Sequence, residues 1–108
     1  MKKAETVFTE RVLNDLKSLR YPTAWFKISQ RSVSGTPDIL GCAYGLFIGL
    51  ELKTEEGEAS RLQLYELKRI LDAGGLALVV RPNTWPDDMK LIDYAVSLWR
   101  QEKEMVYH

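Results

Sequence analysis

The chain has 108 residues, enough for one domain with a modest core and too few for two. One cysteine, Cys42, and one histidine, the terminal His108, exclude an internal disulfide and a cysteine-rich zinc site, and leave little scope for histidine-based chemistry. The formal net charge is zero, which is unusual for a nucleic-acid binder, although acidic metal ligands lower the net charge of a nuclease.

No apolar run reaches membrane-spanning length, and no glycine-rich nucleotide loop occurs. Met1-Lys2-Lys3 leads into an amphipathic stretch rather than the apolar core of a signal peptide. Phe8, Val12, Leu16 and Leu19 recur at helical spacing and predict a helix over residues 3–19, closed by Tyr21-Pro22. At 100° per residue, Glu5 falls within that apolar stripe, while Glu10 lies round on the polar side. A carboxylate on a core-facing stripe needs a partner. It can equally be a frayed first-turn acid suited to the helix dipole.

Trp25, Phe26 and Ile28 predict a strand over residues 24–28. The polar run 29–35 that follows holds Arg31, Ser32 and Ser34, side chains able to contact phosphates as well as water. Residues 39–50 are apolar throughout, with Gly45 where a two-residue hairpin turn needs a glycine. With the turn at Tyr44-Gly45, Ala43 opposes Leu46, and the ladder brings Asp38 opposite Glu51 on one face. Strand alternation adds Lys53 to that face and sends Leu46, Ile48, Leu50 and Leu52 to the other, for burial.

An acidic loop, Thr54-Glu55-Glu56-Gly57-Glu58-Ala59, comes next. Ser60-Arg61-Leu62-Gln63 is a capping-box pattern and opens a helix ending before Gly74-Gly75, with Leu64, Leu67, Ile70 and Leu71 as its buried stripe. Residues 76–80 are a short apolar run that fits a buried strand, with Arg81 at its end. The last helix, over 87–104, is apolar around most of its circumference. Leu91, Ile92, Ala95, Val96 and Trp99 form one face, extended by Tyr94, Leu98 and Met105. The order of helix, three strands, helix, strand and helix predicts a small α/β domain with a mixed sheet.

Two carboxylates side by side repel, and like charges directly opposed destabilise a sheet. A divalent cation removes that conflict, because Mg²⁺ prefers carboxylate oxygens. With a lysine beside it, such a site suits phosphodiester hydrolysis.

Gly35-Thr36-Pro37-Asp38 followed by Glu51-Leu52-Lys53 resembles the PD-(D/E)xK signature of a large nuclease superfamily. More narrowly, residues 5–82 resemble the virus-type replication-repair nuclease (VRR-NUC) family in its stand-alone form. The resemblance implies the restriction-endonuclease-like core, with Asp38, Glu51 and the Leu52 carbonyl holding Mg²⁺ or Mn²⁺. Glu5 would complete or extend that set, since the family carries an acid in its first helix. Lys53 would position the attacking water. Gln63 matches a glutamine that the family places near its active site, and can serve there as well as in the helix cap. Arg31, Ser32, Ser34 and Thr36 become candidate DNA contacts. The acidic loop departs from the neutral or basic residues usual in the family.

A metal-dependent endonuclease selective for branched DNA is thus expected, in the manner of Holliday-junction resolvases. It would act as a homodimer in the cytoplasm, or the host's cytoplasm for a viral source. The alternatives are a non-catalytic nucleic-acid-binding or interaction protein that keeps the fold, and a purely structural subunit.

Overall fold

The computed structural model describes residues 2–29 and 34–107, with side chains as far as residue 104. Arg31, Ser32 and the Met105 side chain lie outside the described residues. In chain order the elements are α1 (Ala4–Lys17), β1 (Thr23–Lys27), β2 (Ile39–Ala43), β3 (Leu46–Leu52), α2 (Arg61–Asp72), β4 (Leu76–Val80) and α3 (Trp85–Tyr107). They build an α/β fold around one four-stranded mixed sheet in the order β1-β2-β3-β4. The first three strands form an antiparallel meander, and β4 runs parallel to β3 after the α2 crossover.

The β2–β3 turn falls at Tyr44 and Gly45, whose φ angles of 50° and 91° are both positive. Two positive values are what a tight hairpin turn of the primed type requires, and glycine takes one without steric cost. The resulting register pairs Ala43 with Leu46 and Ile39 with Leu50. One face of the hairpin therefore carries Ile39, Ala43, Leu46, Ile48 and Leu50, all buried. Phe8, Val12 and Leu16 of α1 and Trp85, Ile92 and Val96 of α3 close over that face as the main core. Trp85 is fully buried, stands edge-on to Phe8 with ring centroids 6.4 Å apart, and donates its indole N–H to Asp15 Oδ2 at 2.7 Å.

α2 lies on the opposite face, against β3 and β4. Its predicted stripe is only half right. Leu67 is buried, but Leu64 and Leu71 are 51% and 49% exposed. The reason is where the helix sits. Leu62 approaches Gly35, so the helix seats on the arc centred near Leu67 and Ile70 and leaves Leu64 and Leu71 on its outer flank. Phe26 of β1 and Phe47 of β3 stay exposed on that sheet face.

α3 begins two residues before its expected start, because the Thr84 carbonyl already accepts from both Asp87 N and Asp88 N. Pro86 fits this first turn, where no helical N–H is needed. Leu91, Tyr94 and Leu98, at helical spacing, are exposed along its outer side. No helix among the described residues is long and apolar enough to cross a membrane.

Candidate active site

At the end of the sheet where β1 and β3 finish and β2 begins, a cavity of about 490 Å³ opens between the first turns of α1 and α2. Glu5, Asp38, Glu51, Leu52, Lys53 and Gln63 all line it. The hairpin register explains the central three. Continued one step beyond Ile39–Leu50, it sets Asp38 beside Glu51, and alternation returns Lys53 to the same side. Asp38 is fixed from two directions. Its main-chain carbonyl accepts from Ile28 N at 2.8 Å, extending the β1–β2 ladder, and its Oδ2 accepts from Leu52 N at 2.8 Å. The N–H and C=O of one strand residue leave on the same edge, so the Leu52 carbonyl also faces the Asp38 side.

Glu51 is 1% exposed, the only charged residue in the described core. Burying a carboxylate is costly unless hydrogen bonds and opposite charge offset it. Its Oε1 accepts from Gln63 Nε2 at 2.9 Å and lies 3.8 Å from Lys53 Nζ. Gln63 closes the helix cap and also reaches the cavity. Ser60 Oγ accepts from Gln63 N at 3.1 Å, and Gln63 Oε1 accepts from Ser60 N at 2.8 Å, which completes the capping box. With its amide oxygen engaged by the cap, only its NH₂ can face the carboxylate. Helix start and buried acid are thus joined through one side chain.

Glu5 is exposed rather than buried in the stripe, and sits one turn ahead of Phe8 at the cavity mouth. Glu10 is exposed elsewhere and pairs with Lys2 Nζ at 2.9 Å. Ser34 is exposed and Thr36 half-buried, and neither lines the cavity. Arg81 does not face the cavity. Its guanidinium donates to the Thr54 carbonyl at 2.7 Å and to the Gly57 carbonyl, pinning the acidic loop to the end of β4. Thr54 and Gly57 become one wall as a result. The second Pro-Asp pair, Pro86-Asp87, lies in the first turn of α3, outside the cavity lining.

Sequence reasoning missed Thr6, Thr9 and Lys27, which also line the cavity. Nothing local marks Lys27, since a lysine on an edge strand is ordinary. The strand register sets it opposite Ile39, one residue from the Ile28 that meets the Asp38 carbonyl, at the end of the sheet where the cavity opens.

Among the described residues, no group of three or more His, Cys, Asp or Glu side chains is placed to hold a metal ion. A carboxylate pair with one main-chain carbonyl nevertheless fits Mg²⁺, which keeps several waters and is commonly held by one or two carboxylates plus substrate phosphate. Comparison with family models, curated proteins and solved structures gives no match.

Proposed function

We propose that this protein is a metal-dependent nuclease of the PD-(D/E)xK type, close to the VRR-NUC family, that hydrolyses phosphodiester bonds in branched DNA. The observation that carries this reading is the buried Glu51, held by Gln63 and Lys53 and set beside Asp38 at the wall of an open cavity. A purely structural ion pair gains nothing from burying one acid beside a second.

Asp38, Glu51 and the Leu52 carbonyl would hold Mg²⁺ or Mn²⁺, with Glu5 completing or extending the set from α1. When bound, the cation polarises a phosphoryl oxygen and lowers the pKa of its water. The protein's own groups do the rest. Gln63 fixes the orientation of the Glu51 carboxylate, and Leu52 N–H fixes that of Asp38. Lys53, on the same side, orients the attacking water and offsets charge that builds on the phosphate. The exposed α3 residues Leu91, Tyr94 and Leu98 supply a surface for a second copy, and a homodimer would present two sites to one junction.

The test is cleavage of linear, flap and four-way DNA with Mg²⁺, with Mn²⁺ and with chelator. Metal-dependent cutting, strongest on the four-way substrate and abolished by Lys53→Ala with the circular dichroism spectrum unchanged, is the expected result. DNA binding without cutting under any of these conditions would replace it with a non-catalytic nucleic-acid-binding protein.

A further inference from the structure

Two cations stand next to each other where β3 and β4 end. Continued one step beyond Leu52 and Val80, the parallel register sets Arg81 beside Lys53, and Lys53 N carries the ladder that far by donating to the Val80 carbonyl at 3.0 Å. Their side chains take different partners. One guanidinium nitrogen, Arg81 Nη1, donates to the main-chain carbonyls of both Thr54 and Gly57. Lys53 Nζ lies instead 3.8 Å from Glu51 Oε1.

The loop after β3 links the two. Residues 54–59 form no helix or strand, and Glu55, Glu56 and Glu58 are exposed. Gly57 is where this loop meets Lys53, since a Cβ built on Gly57 would lie 3.6 Å from Lys53 Cδ, an ordinary van der Waals contact. The residue whose carbonyl Arg81 holds is thus the one against which the Lys53 stem rests. Burial records the effect. The Lys53 side chain is 21% exposed, against 70% for Lys68 on α2. A lysine stem free in water samples many rotamers, and covering it restricts them. An arginine that merely ended β4 could satisfy its guanidinium in water.

We infer that Arg81 is a positioning residue for the reaction: by holding the Gly57 carbonyl it keeps the loop against the Lys53 stem, and so keeps the Lys53 ammonium beside Glu51 and the reacting phosphate. This rests on the nuclease reading above. Arg81 does not line the cavity, so its loss lowers the rate of the chemical step and leaves substrate binding alone.

The experiment compares wild type, Arg81→Met, Arg81→Lys and Arg100→Ala. Methionine keeps an apolar stem and removes every donor. Lysine restores a donor nitrogen, and because both Arg81 bonds leave a single nitrogen, an ammonium can stand in for it. Arg100→Ala removes an exposed α3 guanidinium that pairs with Glu104 outside the cavity lining. Two readouts are taken: steady-state cleavage of four-way DNA with Mg²⁺, and the nuclear Overhauser effect between the Lys53 side chain and Gly57 Hα. The wild type should show that effect, and its absence there overturns the inference without any variant. Arg81→Met should lose it, with kcat down about tenfold or more and KM within about twofold. Arg81→Lys should restore both, and Arg100→Ala should match wild type. If wild type cuts but Arg81→Met keeps its kcat, or loses kcat with the Overhauser effect intact, the inference falls and the nuclease reading stands. A raised KM at unchanged kcat would also overturn it, by making Arg81 a substrate contact. A wild type that does not cut DNA overturns the nuclease reading and the inference with it.

Discussion

The two central acids differ in how they are held, and that difference makes each testable. Asp38→Asn keeps an oxygen that can accept from Leu52 N but removes a charge, so the fold should persist while metal affinity is lost. At free Mg²⁺ one hundred times the dissociation constant, a ligand stabilises the native state by about 2.7 kcal/mol. For a domain of this size that is on the order of 10 °C in Tm. Calorimetry should find that shift in the wild type and its absence in Asp38→Asn; equal shifts would place the metal elsewhere. The same reasoning separates Glu5 from Glu10. Glu5→Gln should cost tenfold or more in cleavage, about 1.4 kcal/mol in the barrier, and Glu10→Gln should leave the rate unchanged, because its carboxylate is spent on exposed Lys2. Helical phase with the family resemblance picked Glu5 over Glu10, and Glu5 does line the cavity, but the buried place in the stripe that phase alone expected is not where it lies. Trp85 was not legible as a core residue. Its burial depends on Phe8 and Asp15, far away in sequence.

α2 is the element on which site and fold meet. Its first turn presents Gln63 to Glu51, and its far end packs where Gly75 enters β4. A Cβ built on Gly75 would lie 2.7 Å from the Phe47 carbonyl oxygen and 2.8 Å from Ile70 Cγ2. Gly75→Ala must therefore move the helix off β3, at a cost of roughly 1–3 kcal/mol. Denaturant melts should register that loss, and the cleavage rate should fall with it as Gln63 withdraws from Glu51. Unchanged activity in a destabilised Gly75→Ala would uncouple the two ends of the helix. The helix itself was legible, because a capping box and a terminal glycine pair mark both ends. Its buried face was not: periodicity identifies an apolar arc, but only the way the helix seats against β3 and β4 decides that Leu67 is covered and Leu64 and Leu71 are not.

For the molecule as a whole, the exposed line Leu91, Tyr94 and Leu98 on α3, with Tyr94 62% exposed, is more apolar surface than scattered single residues account for. Light scattering at micromolar concentration should report a dimer, and the double variant Tyr94→Lys, Leu98→Lys a folded monomer. A dimer that survives both substitutions would be held through the open sheet face at Phe26 and Phe47. The β2–β3 hairpin was readable from one turn, since Tyr44-Gly45 sets every pairing from Ala43–Leu46 to Ile39–Leu50, whereas the place of β1 beside β2 was not. That same turn has a kinetic consequence. Asp38 and Glu51 are brought together by a hairpin of local contacts, whereas Leu52 and Val80 must find each other 28 positions apart (80 minus 52). Loop closure costs more with length, and local contacts form first. Like charges thus meet in the nascent hairpin before Gln63 or the β4 strand can arrive. Mg²⁺ that bound only the finished protein would slow unfolding alone; were the acid pair to hold it already in the hairpin, it should raise the refolding rate in a stopped-flow chevron as well.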